Sequence, residues 1–263
     1  MNPVRIGAVG YLNARPLTWA LDRFPERWRV RYDVPSVCSE LLHAGEVDLG
    51  LIPSVEYLQG ADYRVVPGIG IGSRGPVASV ALFTRRPIAS VRRIALDTSS
   101  RTSVALVKVL CRHRFRIDPE FVPHGPDLQA MTRGSDAALL IGDPALEVEH
   151  RNLGLDKIDL GQEWTAMTGL PFVYAAWTGR PGAIGDDDIR ALQEAQSEGV
   201  IAADAIAAEY GGSDQAATAR AAAYLRHNVR YGLGPEEAQG LQTFLDYAAE
   251  MGLAPHTRTL EFF

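Results

Sequence analysis

Basic residues are in the minority here. The 263-residue chain holds 26 lysines and arginines against 32 aspartates and glutamates, a formal net charge of −6, and no basic block forms a stripe that could track phosphates. Nucleic acid is excluded as an expected partner. Cysteine is scarce. Cys38 and Cys111 stand singly in apolar stretches that read as helix, without C-x-x-C spacing, which excludes a disulfide framework or thiolate metal site and leaves two buried structural thiols. No run reaches the about 18 apolar residues of a membrane span, so no membrane partner is expected. Nor is there a secretory signal. Met1-Asn2-Pro3 leads straight into an apolar strand at 4–9, which points to the cytoplasm. The histidines, at 43, 113, 124, 150, 227 and 256, show neither H-x-x-x-H nor H-E-x-x-H spacing, so no metal site is expected. A G-x-S-x-G elbow and a phosphate-binding G-x-x-x-x-G-K-[ST] loop are both absent.

What is present is the balance of a globular protein with a real core, 46% hydrophobic and 22% charged. The first ~65 residues alternate strand and helix: VRIGAV then ARPLTWALDR, WRVRYDV then SVCSELLHAG, DLGLI then SVEYLQG. Repeated βα units argue for a parallel sheet covered by helices. Ser36 and Ser54 are candidate helix N-caps, and Gly45 and Gly60 candidate left-handed C-caps. A second series follows Arg86-Pro87, with strands RIALD, EFVPH, AALLI and LDKIDL and helices RTSVALVKVLCRHRF, DLQAMTR and GQEWTAM. Two wound sheets imply two lobes. The helix-free runs PVASVALFT at 76–84 and PFVYAAWTG at 171–179 are expected to cross between them, giving lobe I as 1–84 plus 178–263 and lobe II as 85–177, hinged at those crossings. From Asp186 to Met251 the pattern is helical, broken into three segments by Gly211-Gly212 and by 232–235, and is expected to pack on lobe I ahead of a strand-like TRTLEFF.

Four turns fall at the carboxyl ends of predicted strands, where open α/β sheets bind ligands: Gly10-Tyr11-Leu12-Asn13, Pro53-Ser54, Asp97 to Ser103, and Gly142-Asp143-Pro144. Hydroxyls, one guanidinium and free backbone N–H groups converge at the Asp97–Ser103 helix start, a setting suited to a carboxylate or phosphate. One letter-perfect motif is rejected. Gly70-Ile71-Gly72-Ser73-Arg74-Gly75 matches the dinucleotide fingerprint, yet Pro76 and a β run follow it where a helix is required.

The stretches IGAVGYLNARPL, GEVDLGLIPSVEYL, GPVASVALF, DTSSRTSVAL, LLIGDPAL and DLGQEWTAMTGLPFVYAAW, spread over residues 4–180, together resemble the chorismate dehydratases of the futalosine route to menaquinone. The resemblance implies an α/β fold of the type II periplasmic-binding-protein kind, two lobes with a ligand cleft between. It implies a cytoplasmic hydro-lyase that uses no metal or organic cofactor, with chorismate as its small-molecule partner. It assigns catalysis to Asn13 and Ser79. Substrate binding is assigned to Tyr11, Leu12, Ser54, Ser100, Arg101, Thr102, Ser103, Gly142 and Asp143, with Arg101 expected to pair with a substrate carboxylate. Two alternatives share the fold: a cytosolic small-anion solute-binding or sensor protein, and the related dihydroxynaphthoate synthase, whose first turn centres on cysteine and proline where this chain has YLN. Oligomeric state is left open.

Overall fold

The computed structural model describes residues 3–60, 62–254 and 257–263. Met1, Asn2 and His256, named above, lie outside the described residues.

A strand buried on both faces has no use for polar alternation, so interior strands appear as unbroken apolar runs. Four such strands, β3 (Leu49–Pro53), β5 (Val80–Thr84), β8 (Ala137–Ile141) and β10 (Phe172–Gly179), are buried along their whole length. Each lies inside a sheet. The four edges go to strands with charged, part-exposed residues: β2 (Trp28–Asp33), β7 (Glu120–His124), β9 (Asp156–Asp159) and the strand at Arg230–Leu233. With β1 (Val4–Val9), β4 (Arg64–Ser73), β6 (Arg93–Asp97) and β11 (Arg230–Leu233) they form a six-stranded sheet, β11-β4-β10-β3-β1-β2, and a five-stranded sheet, β7-β6-β8-β5-β9.

The two sheets repeat one plan. In each, a parallel trio (β2-β1-β3 and β7-β6-β8) is followed by an antiparallel strand, and that strand is the one the chain enters on arriving from the other lobe. The crossings are therefore residues 74–79 and 169–171, not the expected 76–84 and 171–179. The run at 80–84 belongs wholly to the second sheet as β5, and 172–179 wholly to the first as β10. The physical reason is burial: all-apolar strands like these are stable inside a sheet and not in an exposed hinge.

The helices are α1 (Arg15–Thr18), α2 (Pro35–His43), α3 (Arg101–Leu110), α4 (Leu128–Gly134), α5 (Gly142–Glu147), α6 (Leu160–Thr168), α7 (Asp186–Ile201), α8 (Ala203–Gly211), α9 (Gln215–His227) and α10 (Pro235–Glu250). Several depart from expectation. The segment 12–23 is only α1 flanked by 3-10 turns, and 54–59 is a 3-10 turn. Ser36 and Ser54 do not cap: α2 starts on Pro35 behind Val34. Gly45 is left-handed as expected, whereas Gly60 has φ −96°. The tail divides at Ala202 and contributes β11, so it makes four helices and a strand; Arg230, Gly232 and Leu233 pair with β4 of the first sheet. Residues 257–263 give one isolated bridge, Val65 to Phe262. Gly70 and Gly72 lie within β4, where a Cβ on Gly72 would stand 2.7 Å from the Phe172 carbonyl oxygen; these glycines serve strand packing.

The last helix anchors the second crossing. A Cβ on Gly240 of α10 would lie 2.1 Å from the Pro171 carbonyl oxygen, so helix and crossing touch backbone to backbone. Gly240→Ala gains about 1 kcal/mol of helix propensity but forces the two apart. The expected outcome is a net loss of about 1–3 kcal/mol, read as a lower midpoint in urea unfolding.

Candidate active site

The carboxyl ends of β1, β3, β6 and β8 meet between the sheets around a narrow cavity with about 40 Å³ open to water-sized molecules. Its lining is apolar at Val9, Ile71, Val77, Val80 and Ile141 and polar at Tyr11, Asn13, Ser100, Ser103 and Tyr174. None of the lining residues is a lysine, arginine, histidine, aspartate or glutamate. The residues of the cavity are largely closed off, with Ser103 2% and Tyr174 7% exposed.

Of the residues singled out from sequence, the structure brings Tyr11, Asn13, Ser100, Ser103 and Gly142 to this cavity. Ser100 caps α3, its hydroxyl accepting from the Ser103 N–H and lying 3.1 Å from the Ser103 hydroxyl, so two hydroxyls and the positive end of a ten-residue helix face the same space. Gly142 has φ +66°, and a Cβ there would press on the Tyr11 ring at 3.0 Å, so glycine is required on both counts. Asn13 holds an uncommon position. Its Oδ1 is buried and has no hydrogen-bond partner among the described residues.

Ser79 lies behind the lining, 1% exposed, with its hydroxyl 2.7 Å from that of Tyr224 on α9. The turn before it is held hard. Ala78 has φ +66°, an unfavourable conformation for a residue with a Cβ. Two oxygens of Asp159 accept the N–H groups of Val77 (3.0 Å) and Ala78 (2.6 Å), and the Lys157 ammonium donates to the Ala78 carbonyl at 2.6 Å. Burial lowers the Lys157 pKa, against the opposing pull of Asp159.

The other sequence candidates fasten the lobes together. The Leu12 side chain is core, and its N–H donates across the cleft to Asp143 at 3.0 Å. Ser54 donates to the Val173 carbonyl at 2.8 Å and lies 3.3 Å from Thr102, which accepts the Val55 N–H. Asp97 and Ser99 satisfy each other, and Asp97 also accepts from Ile141 N–H. Arg101 lies apart from the cavity. Its guanidinium turns away from the cavity to Glu56 (2.9 Å) and Glu40 (2.8 Å) of the first lobe, beside His43 and Tyr63, in an outer groove of about 1040 Å³. Glu56 is a buried carboxylate, so the pair neutralises its charge.

Tyr224 and Tyr174 were not found from sequence. Tyr224 lies in an Ala-rich helix whose buried stripe is Ala221, Tyr224 and Leu225. A tyrosine in such a stripe needs a partner for its hydroxyl, and that is the only signal the sequence offered. Burial holds the Tyr224 phenol well above its ordinary pKa. The cysteines are free and buried, the Cys38 and Cys111 thiols pushed up to about 12 by burial. No helix among the described residues is long and apolar enough to cross a membrane.

A sequence model described as menaquinone biosynthesis matches residues 4–250, nearly the whole chain. The chain belongs to the menaquinone biosynthesis family. Among its curated relatives, a chorismate dehydratase of Thermus thermophilus is 34% identical over 221 residues, 76% of this chain and 79% of that protein. One of Campylobacter jejuni is 28% identical over 178 residues, covering 65% and 66%. Among solved structures, this family member is similar to a protein of Archaeoglobus fulgidus (TM-score 0.74, 17% identity, 96% of this chain and 98% of that one). It is also similar to the periplasmic aliphatic sulphonate binding protein of Escherichia coli (TM-score 0.71, 20% identity, 99% and 91%). The fold is the α/β, two-lobed one of periplasmic binding proteins.

Asp143 supplies a test of the clasp. Burial raises its pKa despite the Leu12 N–H, so the folded protein takes up this proton more readily than the unfolded chain. The resulting stability is complete below the ordinary value of 3.8 and lost as pH rises through the raised value. Asp143→Asn keeps an acceptor for Leu12 and carries no charge at any pH. It is expected to raise Tm by about 1–3 °C at pH 7, with the gain fading to nothing at about pH 3.

Proposed function

We propose that this chain is a chorismate dehydratase, a carbon–oxygen lyase of the cytoplasm that removes water from chorismate to give 3-[(1-carboxyvinyl)oxy]benzoate on the futalosine route to menaquinone. The observation that carries this reading is the family match over residues 4–250, a span that contains Asn13, Ser79, Ser100, Ser103 and Tyr224. The character of the cavity supports it further.

Chorismate carries two carboxylates on a small ring. One is held by the Ser100 and Ser103 hydroxyls at the amino end of α3, while the apolar walls take the ring. The reaction breaks the C3–H and C4–O bonds: the C3 proton goes to a base, its electron pair forms the new ring double bond as the C4 hydroxyl leaves, and the departing oxygen takes that proton from the base to leave as water, so an aromatic ring results and the base is regenerated. Aromatisation supplies the driving force. The protein has to hold the reactive pose and stabilise the leaving oxygen.

No side chain lining the cavity is a carboxylate or an imidazole. The base is accordingly the substrate's own enolpyruvyl carboxylate. Asn13 presents its bare Oδ1 to the C4 hydroxyl proton, and Ser79 donates to the departing oxygen. A binding protein or sensor of the same fold would release chorismate unchanged, which separates the readings at once.

With purified protein and chorismate, the ultraviolet spectrum should change from diene to benzoate. Asn13→Ala and Ser79→Ala should each lower kcat by about 10²-fold, the scale of a lost positioned hydrogen bond. Because neither group titrates near neutrality, both variants should keep the wild-type pH profile. An analogue with a neutral group in place of the enolpyruvyl carboxylate should bind without eliminating; its turnover at a comparable rate would contradict substrate-borne base catalysis. Chorismate recovered intact from the wild-type protein would reject the dehydratase reading itself.

A further inference from the structure

Tyr224 comes from α9 and meets Ser79, the last residue of the first crossing, in a place closed to solvent: the two are 2% and 1% exposed and their oxygens 2.7 Å apart. Hydrogen-bond counting then fixes a direction. The phenol proton has one acceptor among the described residues, Ser79 Oγ, so it goes there and the Ser79 proton is left for the cavity. The reverse order would need another acceptor for the phenol proton, and among the described residues Tyr224 makes no hydrogen bond through its hydroxyl other than that to Ser79.

We propose that Tyr224 is a positioning residue for the dehydration, orienting Ser79 as a donor toward the C4 hydroxyl of the substrate. The proposal rests on the dehydratase reading. Backbone freedom at Ser79 is already removed by Asp159 and Lys157, so the remaining choice is among the staggered rotamers of its side chain, and Tyr224 selects one. Burial, with Asp143 and Asp159 nearby, keeps the phenol protonated and so keeps the direction.

Tyr224→Phe keeps the ring and removes the hydroxyl. With folding verified by an unchanged circular dichroism spectrum, kcat on chorismate is expected to fall between about 10- and 100-fold, the scale of a misplaced catalytic group, while KM moves less than about 3-fold. The double variant Ser79→Ala/Tyr224→Phe should be no slower than Ser79→Ala alone, since Tyr224 then has nothing to aim at Ser79. Wild-type kcat in Tyr224→Phe, a change confined to KM, or full additivity in the double variant would each overturn the proposal and leave the dehydratase reading standing. An inactive wild-type protein would remove both. Should Tyr224→Phe fail to fold, the cycle is run with Tyr224→Trp under the same two criteria.

Discussion

A polar group buried between two bodies has to find its hydrogen-bond partner on the opposite body, or lose about 1–3 kcal/mol when the gap closes. That constraint runs through this cleft. Ser79 at the end of the first crossing meets Tyr224 of the first lobe, the Leu12 N–H meets Asp143, Ser54 meets Thr102, and Arg101 reaches back to Glu56. Each pair is satisfied only in one register of the lobes. Closure is therefore specific, and the bonds that make it specific are the ones that shape the cavity. Asn13 Oδ1 is the exception, a buried acceptor left bare at the centre.

The electrostatic arrangement follows from the same economy of charge. A protein of net charge −6 would be expected to greet an anion with a cation, yet the cavity lining offers hydroxyls, an amide and a helix terminus. Arg101 is spent outside on Glu40 and Glu56. A guanidinium beside a carboxylate lowers its pKa by about 1–3 units, which would blunt it as a base. Neutral donors hold an anion in place and leave more of its proton affinity intact, which suits a reaction whose base is carried in by the substrate.

How much of this could be read in the sequence depended on how local the cause was. Turns at the carboxyl ends of strands are dictated by neighbours a few residues away, so Tyr11, Asn13, Ser100, Ser103 and Gly142 were legible as one cluster. The all-buried strands were legible as well, although their place was misjudged: apolarity reports burial and not which sheet does the burying, so β5 and β10 read as connections. The direction of Arg101 depended on Glu40 and Glu56, 61 and 45 residues away. The break between α7 and α8 at Ala202 has no glycine or proline to announce it. Tyr224 is 145 residues from Ser79, and nothing in an alanine-rich helix singles it out until the lobes are put together.

The central claim is that the small cavity at the four strand ends, and not the larger outer groove beside Arg101, is where the substrate is held. A crystal structure with 3-[(1-carboxyvinyl)oxy]benzoate bound tests it most directly. The account predicts one carboxylate against Ser100 and Ser103 at the start of α3, the ring between Val77, Val80 and Ile141, and Asn13 and Ser79 bordering ring carbon 4. A ligand lying in the outer groove against Arg101 and Lys108, with Asn13 and Ser79 untouched, would contradict it.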